Sequence, residues 1–111
     1  MVPVLVFAVA AVLGLLLALR HFRGAPRPLG LTLAHGAFAA TGLVLLFFVG
    51  NSGAIRGNWQ LALGMFVVAA LGGFLLFALD LKKKQMPSAV VVIHALAAVT
   101  AFVLLLVAVF A

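Results

Sequence analysis

Two histidines recur in matching surroundings. Pro28, His35 and Thr41 stand in PLGLTLAHGAFAATGLVLL, and Pro87, His94 and Thr100 stand at the same spacings in PSAVVVIHALAAVTAFVLL. The segments 28–46 and 87–105 also agree at Ala39/Ala98, Val44/Val103, Leu45/Leu104 and Leu46/Leu105. Imidazole can titrate near neutrality, hydrogen-bond through either nitrogen, or ligate a metal. On a helix, positions i+4 and i+7 share the face of position i. For His35 these are Ala39 and Gly42, and for His94 they are Ala98 and Ala101. Each imidazole is therefore expected to stand on a strip of small residues, the clearance that a flat macrocycle between two helices requires. The chain offers no nucleophile–base pair, paired carboxylates or phosphate-binding loop, and it has no Cys, which removes thiolate metal sites and disulfides.

The elements that position the histidines follow from composition. The chain of 111 residues is 68% hydrophobic and only 7% charged, with a mean hydropathy of +1.47. A soluble domain is about half apolar, so the solvent here is the lipid bilayer. The apolar runs 2–19, 29–49, 59–79 and 88–110 each approach the ~20 residues that a membrane-spanning helix needs. They are continuously apolar rather than alternating, which excludes barrel strands. The first run lacks a basic leader and its positive charge follows it, so it is expected to be a retained helix rather than a cleaved signal.

Three breaks separate the runs: RHFRGAPRP (20–28), GNSGAIRGN (50–58) and DLKKKQMPS (80–88). Pro87 and Ser88 read as a helix start, and Trp59 stands where an interfacial aromatic belongs. The net charge of +6 would suggest nucleic acid in a soluble protein. Here the basic residues lie in loops, where topology accounts for them and no nucleic-acid partner is expected. The positive-inside rule places loops 20–28 and 80–88 in the cytoplasm and both termini outside, as in a bacterial inner membrane. The expected fold is all-α: four transmembrane helices in an up-down-up-down bundle, a single membrane domain made of two tandem parallel hairpins, 1–50 and 58–111. LLALR at the end of the first helix and LFALD at the end of the third echo each other in the same sense.

In such a bundle helices 2 and 4 are diagonal. With neighbouring axes 8–10 Å apart the diagonal is roughly 11–14 Å, wide enough to place a metal between two inward imidazoles. Both histidines lie roughly 10 Å into their helices at 1.5 Å per residue. His35 and His94 are thus candidate axial ligands to the iron of a b-type haem, with Arg20, Arg23, Arg27, Lys82, Lys83 and Lys84 as candidate partners for its propionates. A second reading stands beside this one. Small residues also let membrane helices pack closely, as Gly36 and Ala40 would, and a membrane histidine can simply hydrogen-bond a carbonyl. Two histidines without carboxylate or thiolate do not make a zinc or copper site. His21 and Arg56 read as solvated interfacial side chains, Asp80 as a local ion pair with Lys82 to Lys84, and Thr41 and Thr100 as bonded back to carbonyls four residues earlier.

The pattern LxxxH followed by Ala or Gly, in a four-helix membrane bundle, resembles bacterial b-type membrane cytochromes of the cytochrome b561 kind. The likeness covers helices 2 and 4. It implies bis-His haem ligation by His35 and His94 and electron exchange with quinol or another membrane carrier. That family places a haem near each membrane face, whereas no run here carries a histidine at the outer side, so one chain holds one haem at most.

Three functions follow. The first is a haem-b electron-transfer protein or subunit, a carrier rather than an enzyme by itself. The second is a cofactor-free accessory subunit that contacts a larger complex, or another copy, through the Gly-rich faces at Gly14, Gly64 and Gly72–Gly73. The third is a small transporter or channel with a histidine proton relay, disfavoured by the absence of any carboxylate within the spans.

Overall fold

Each apolar run folds as a single helix because lipid offers backbone N–H and C=O groups no alternative partner. The computed structural model describes residues 1–111. Its helices are α1 (Val2–Phe22), α2 (Leu29–Asn51), α3 (Trp59–Leu81) and α4 (Ser88–Phe110). They are 21 to 23 residues long, about 31–35 Å at 1.5 Å per residue, and all four are long and apolar enough to cross a membrane.

The helix ends show an internal duplication. α2 and α4 each begin directly after a proline, Pro28 or Pro87, as proline's fixed φ and missing N–H favour. α1 and α3 each close on a residue with positive φ, Gly24 at 65° and Lys83 at 53°. Ala25 N–H then reaches Arg20 O, and Lys84 N–H reaches Leu79 O, both at 2.9 Å. Each feature of the first hairpin recurs 59 positions later. The echo of LLALR in LFALD is therefore out of register by one residue. A one-residue slip turns a helix by about 100°, and the structure instead pairs Leu17 with Leu76 and Ala18 with Phe77.

α1 packs on α2 and α4, and α3 packs on the same two helices. The pairs α1–α3 and α2–α4 are diagonal, with no Cα atoms within 8 Å of each other. Packing is closer within each hairpin than between the hairpins. The arrangement is the expected up-down-up-down bundle.

The bundle is solid in one half and hollow in the other. Its core gathers Val4, Phe7, Leu46, Ile55, Trp59, Phe66 and Leu105, all in the half away from the basic loops. Trp59, the first residue of α3, is buried, because its ring lies against Gly50, where a Cβ would overlap it. Ser88 is not a cap but the first residue of α4, and its hydroxyl lies 3.1 Å from His21 Nε2. The cap that does form is Asn58, whose side chain accepts from Leu61 N–H at 3.1 Å.

The loop between α2 and α3 closes the solid end. Gly57 N–H donates to Ala108 O at 3.2 Å, and a Cβ on Gly57 would overlap the backbone of Ala108. No side-chain rotation relieves that collision. Gly57→Ala is expected to destabilise the bundle by about 2 kcal/mol, as overpacking does, measured by thermal unfolding in detergent.

Candidate functional site

The hollow half holds a cavity of about 360 Å³ between the four helices, within the range of small-molecule sites. His35 and His94 face each other across it. Each is the seventh residue of its helix, so the duplication sets them at one depth, about 9 Å along the helix.

Their ring centroids are 6.3 Å apart and the ring planes are at 90°. His35 Nδ1 lies 2.8 Å from Ala10 O, and His94 Nδ1 lies 2.7 Å from Ala69 O. A carbonyl only accepts, so Nδ1 carries the proton in both rings and donates it. That fixes the tautomer and leaves each Nε2 with a free lone pair, the state in which imidazole binds a metal. The rings are not in contact, and both line the same cavity, so His35 and His94 are the side chains that would hold an iron there.

The rings lie against glycine. A Cβ on Gly14 would lie 2.8 Å from His35 Cε1, and one on Gly73 would lie 3.1 Å from His94 Cε1. Gly72 is also beside His94, where a Cβ would lie 3.5 Å from the His94 Cβ. Gly14, Gly72 and Gly73 thus pack inward and do not form an outer contact face. Gly64 does have open space beside it.

Small residues line the cavity from all four helices: Ala10, Ala11 and Ala18 of α1, Ala39 of α2, Ala69 and Ala70 of α3, and Ala95 and Ala98 of α4. Ala39 and Ala98 stand where the histidine spacing puts them. Gly42 and Ala101 lie in the solid half instead. Gly42 seats Phe7, whose ring carbons would be 2.8 Å from a Cβ there, and Ala101 is fully buried in the core. Phe7 and Phe66 stack across the other diagonal, centroids 3.8 Å apart and planes within 3°. Both line the cavity, and the stack separates it from the core.

Of the six basic loop residues, only Arg27 reaches the cavity wall. Its Nη2 donates to Asp80 Oδ1 at 3.0 Å. Asp80 therefore pairs across the hairpins rather than with Lys82 to Lys84, which are exposed. Arg20 Nη1 donates to Pro26 O at 2.9 Å, and Arg23 is exposed. Thr41 Oγ1 donates to Ala37 O at 2.7 Å, the expected back-bond.

The histidine pair is thus set by α2 and α4, but α1 and α3 anchor and clear it. Sequence reasoning missed those residues, although the signal was present. Carried through the whole hairpin, the 59-residue offset matches Phe7/Phe66, Ala10/Ala69, Ala11/Ala70 and Gly14/Gly73. Comparison of the chain with family models, with curated proteins and with solved structures gave no match.

Proposed function

We infer that the chain is an integral membrane b-type haem protein or subunit, a one-electron carrier with a single haem held by His35 and His94. The observation that carries the reading is the pair of Nδ1-anchored imidazoles 6.3 Å apart across an apolar cavity. Haem supplies reversible one-electron chemistry when bound, and bis-imidazole ligation is one of its standard settings. The chain's own part is to fix both tautomers, keep both Nε2 lone pairs free and wall the site with apolar side chains against water.

The resemblance to cytochrome b561-like proteins agrees with this role. The positive-inside rule places the hollow half toward the cytoplasm of a bacterial inner membrane. One site, about a third of the way across, serves exchange at one face. The electron partner is then a quinone or a second membrane redox subunit. The cofactor-free subunit reading leaves the cavity without an occupant, and the transporter reading has a single carboxylate at the cavity, Asp80, which is held by Arg27.

Titration of the detergent-purified apoprotein with hemin is expected to saturate at one equivalent per chain, with a bis-His spectrum. Absence of saturable binding would overturn the reading. Gly14→Ala is expected to loosen haem more than Gly73→Ala, because its Cβ stands closer to the imidazole it crowds. Haem release about tenfold faster, roughly 1.4 kcal/mol, is expected for Gly14→Ala, measured by transfer to apomyoglobin. A smaller effect is expected for Gly73→Ala.

A further inference from the structure

The cavity obeys the duplication nearly everywhere: Ala10/Ala69, Gly14/Gly73, His35/His94 and Ala39/Ala98 all line it as identical pairs. At its basic end the pairing fails in one direction. Thr32 and Arg27 line the wall from the first hairpin, and Val91 and Met86 occupy the equivalent positions of the second. The two polar residues carry the only buried side-chain N and O atoms in the chain without a partner, Arg27 Nε and Thr32 Oγ1. A buried polar atom left unpaired costs about 1–3 kcal/mol, and the repeat partner shows that an apolar residue is accommodated at each position. The hydroxyl and the guanidinium N–H are therefore retained at a cost to folding.

We propose that Arg27 Nε–H and Thr32 Oγ1–H form a carboxylate subsite at the basic end of the histidine cavity, and that it takes one propionate of the haem. The inference rests on the haem reading above. Thr32 lies three residues before His35, about 4.5 Å along α2 toward the basic loops. Both groups donate hydrogen bonds, which strengthen when the acceptor is charged. Arg27 Nη2 remains on Asp80 Oδ1, so the arginine holds the carboxylate side-on through Nε without giving up its ion pair. Asp80 balances the arginine's charge. The subsite therefore works through directed hydrogen bonds and suits one carboxylate rather than two. The second hairpin, with Val91 and Met86, offers no counterpart, so the subsite also fixes which way round the haem edge sits.

The test uses the full-length apoprotein loaded with hemin or with hemin dimethyl ester, whose propionates cannot accept as carboxylates. Release of each to apomyoglobin is measured for wild type, Thr32→Val, Thr32→Ser and Arg27→Lys. Thr32→Val installs the residue that the repeat already carries at this position, and Arg27→Lys keeps the charge on Asp80 but removes Nε–H. Wild type is expected to release the free acid about tenfold more slowly than the ester, the worth of one charged hydrogen bond. Thr32→Val and Arg27→Lys are expected to lose most of that difference with the ester rate unchanged, and Thr32→Ser is expected to restore it. Apoprotein carrying Thr32→Val is expected to unfold at the wild-type temperature or higher, because the unpaired hydroxyl is gone. If both forms bind but every variant keeps the wild-type preference for the free acid, the subsite is overturned and the haem reading stands. If wild type binds neither form, both fall together.

Discussion

Alanine at position 35 or 94 is expected to abolish the bis-His haem spectrum. The chain contains one other histidine, His21, whose Nε2 lies against Ser88 at the end of the cavity, so no third imidazole stands beside the pair. Each variant retains a single imidazole, and the low-spin Soret and α-bands are expected to disappear in both, with at most a weak high-spin species remaining. The fold is expected to survive. Each substitution removes one hydrogen bond to a helix carbonyl, worth about 1 kcal/mol or less in a membrane protein, and helix content by circular dichroism is the control. A wild-type spectrum in either variant would remove that residue from the iron. Loss of helix content would instead give the histidine a structural role.

Phe7→Ala is expected to cost the most stability of any single substitution in the chain. Phe7 is 4% exposed. Its ring stacks on Phe66 at 3.8 Å and sits over Gly42, where no side chain can fill the space it would leave. Buried Phe→Ala changes cost about 3–5 kcal/mol in soluble cores. In a bilayer the transfer part of that cost shrinks, because lipid is as apolar as the core, so about 2–3 kcal/mol is expected here. The ring also separates the hollow half from the solid half, so its loss should join the vacated space to the histidine cavity. Thermal unfolding in detergent is the measurement, and haem release should rise alongside. A melting temperature unchanged from wild type would show that the stack does not hold α1 against α3.

The sequence made the bundle legible because lipid forces its logic. Four long apolar runs have no alternative to helices, and Pro28 and Pro87 mark where two of them start. The diagonal placement of α2 and α4 followed from short loops. Within the site, the histidines were visible as a repeated residue type on a featureless background. Their partners show only as the Ala10/Ala69 match of the 59-residue repeat, because they act through backbone carbonyls, which no residue type marks. Gly14 and Gly73 read equally well as outward contact glycines, and only their closeness to the imidazoles in the fold decides otherwise. Gly42 was misplaced for a simpler reason. The Phe7 ring lies over Gly42 and covers it, although Leu43, one residue further along α2, still lines the cavity. Asp80 was paired locally by proximity in sequence, whereas its partner Arg27 comes from the other hairpin, brought close when the two hairpins pack side by side.

The most direct measurement is the absorption spectrum of the detergent-purified protein, expressed with haem in excess, first oxidised and then reduced with dithionite. A sharp reduced α-band with a shifted Soret band is expected, at one haem per chain, and His35 and His94 would be its axial pair. A colourless protein under those conditions would contradict the account and leave the imidazoles as an edge-to-face packing pair anchored on Ala10 and Ala69.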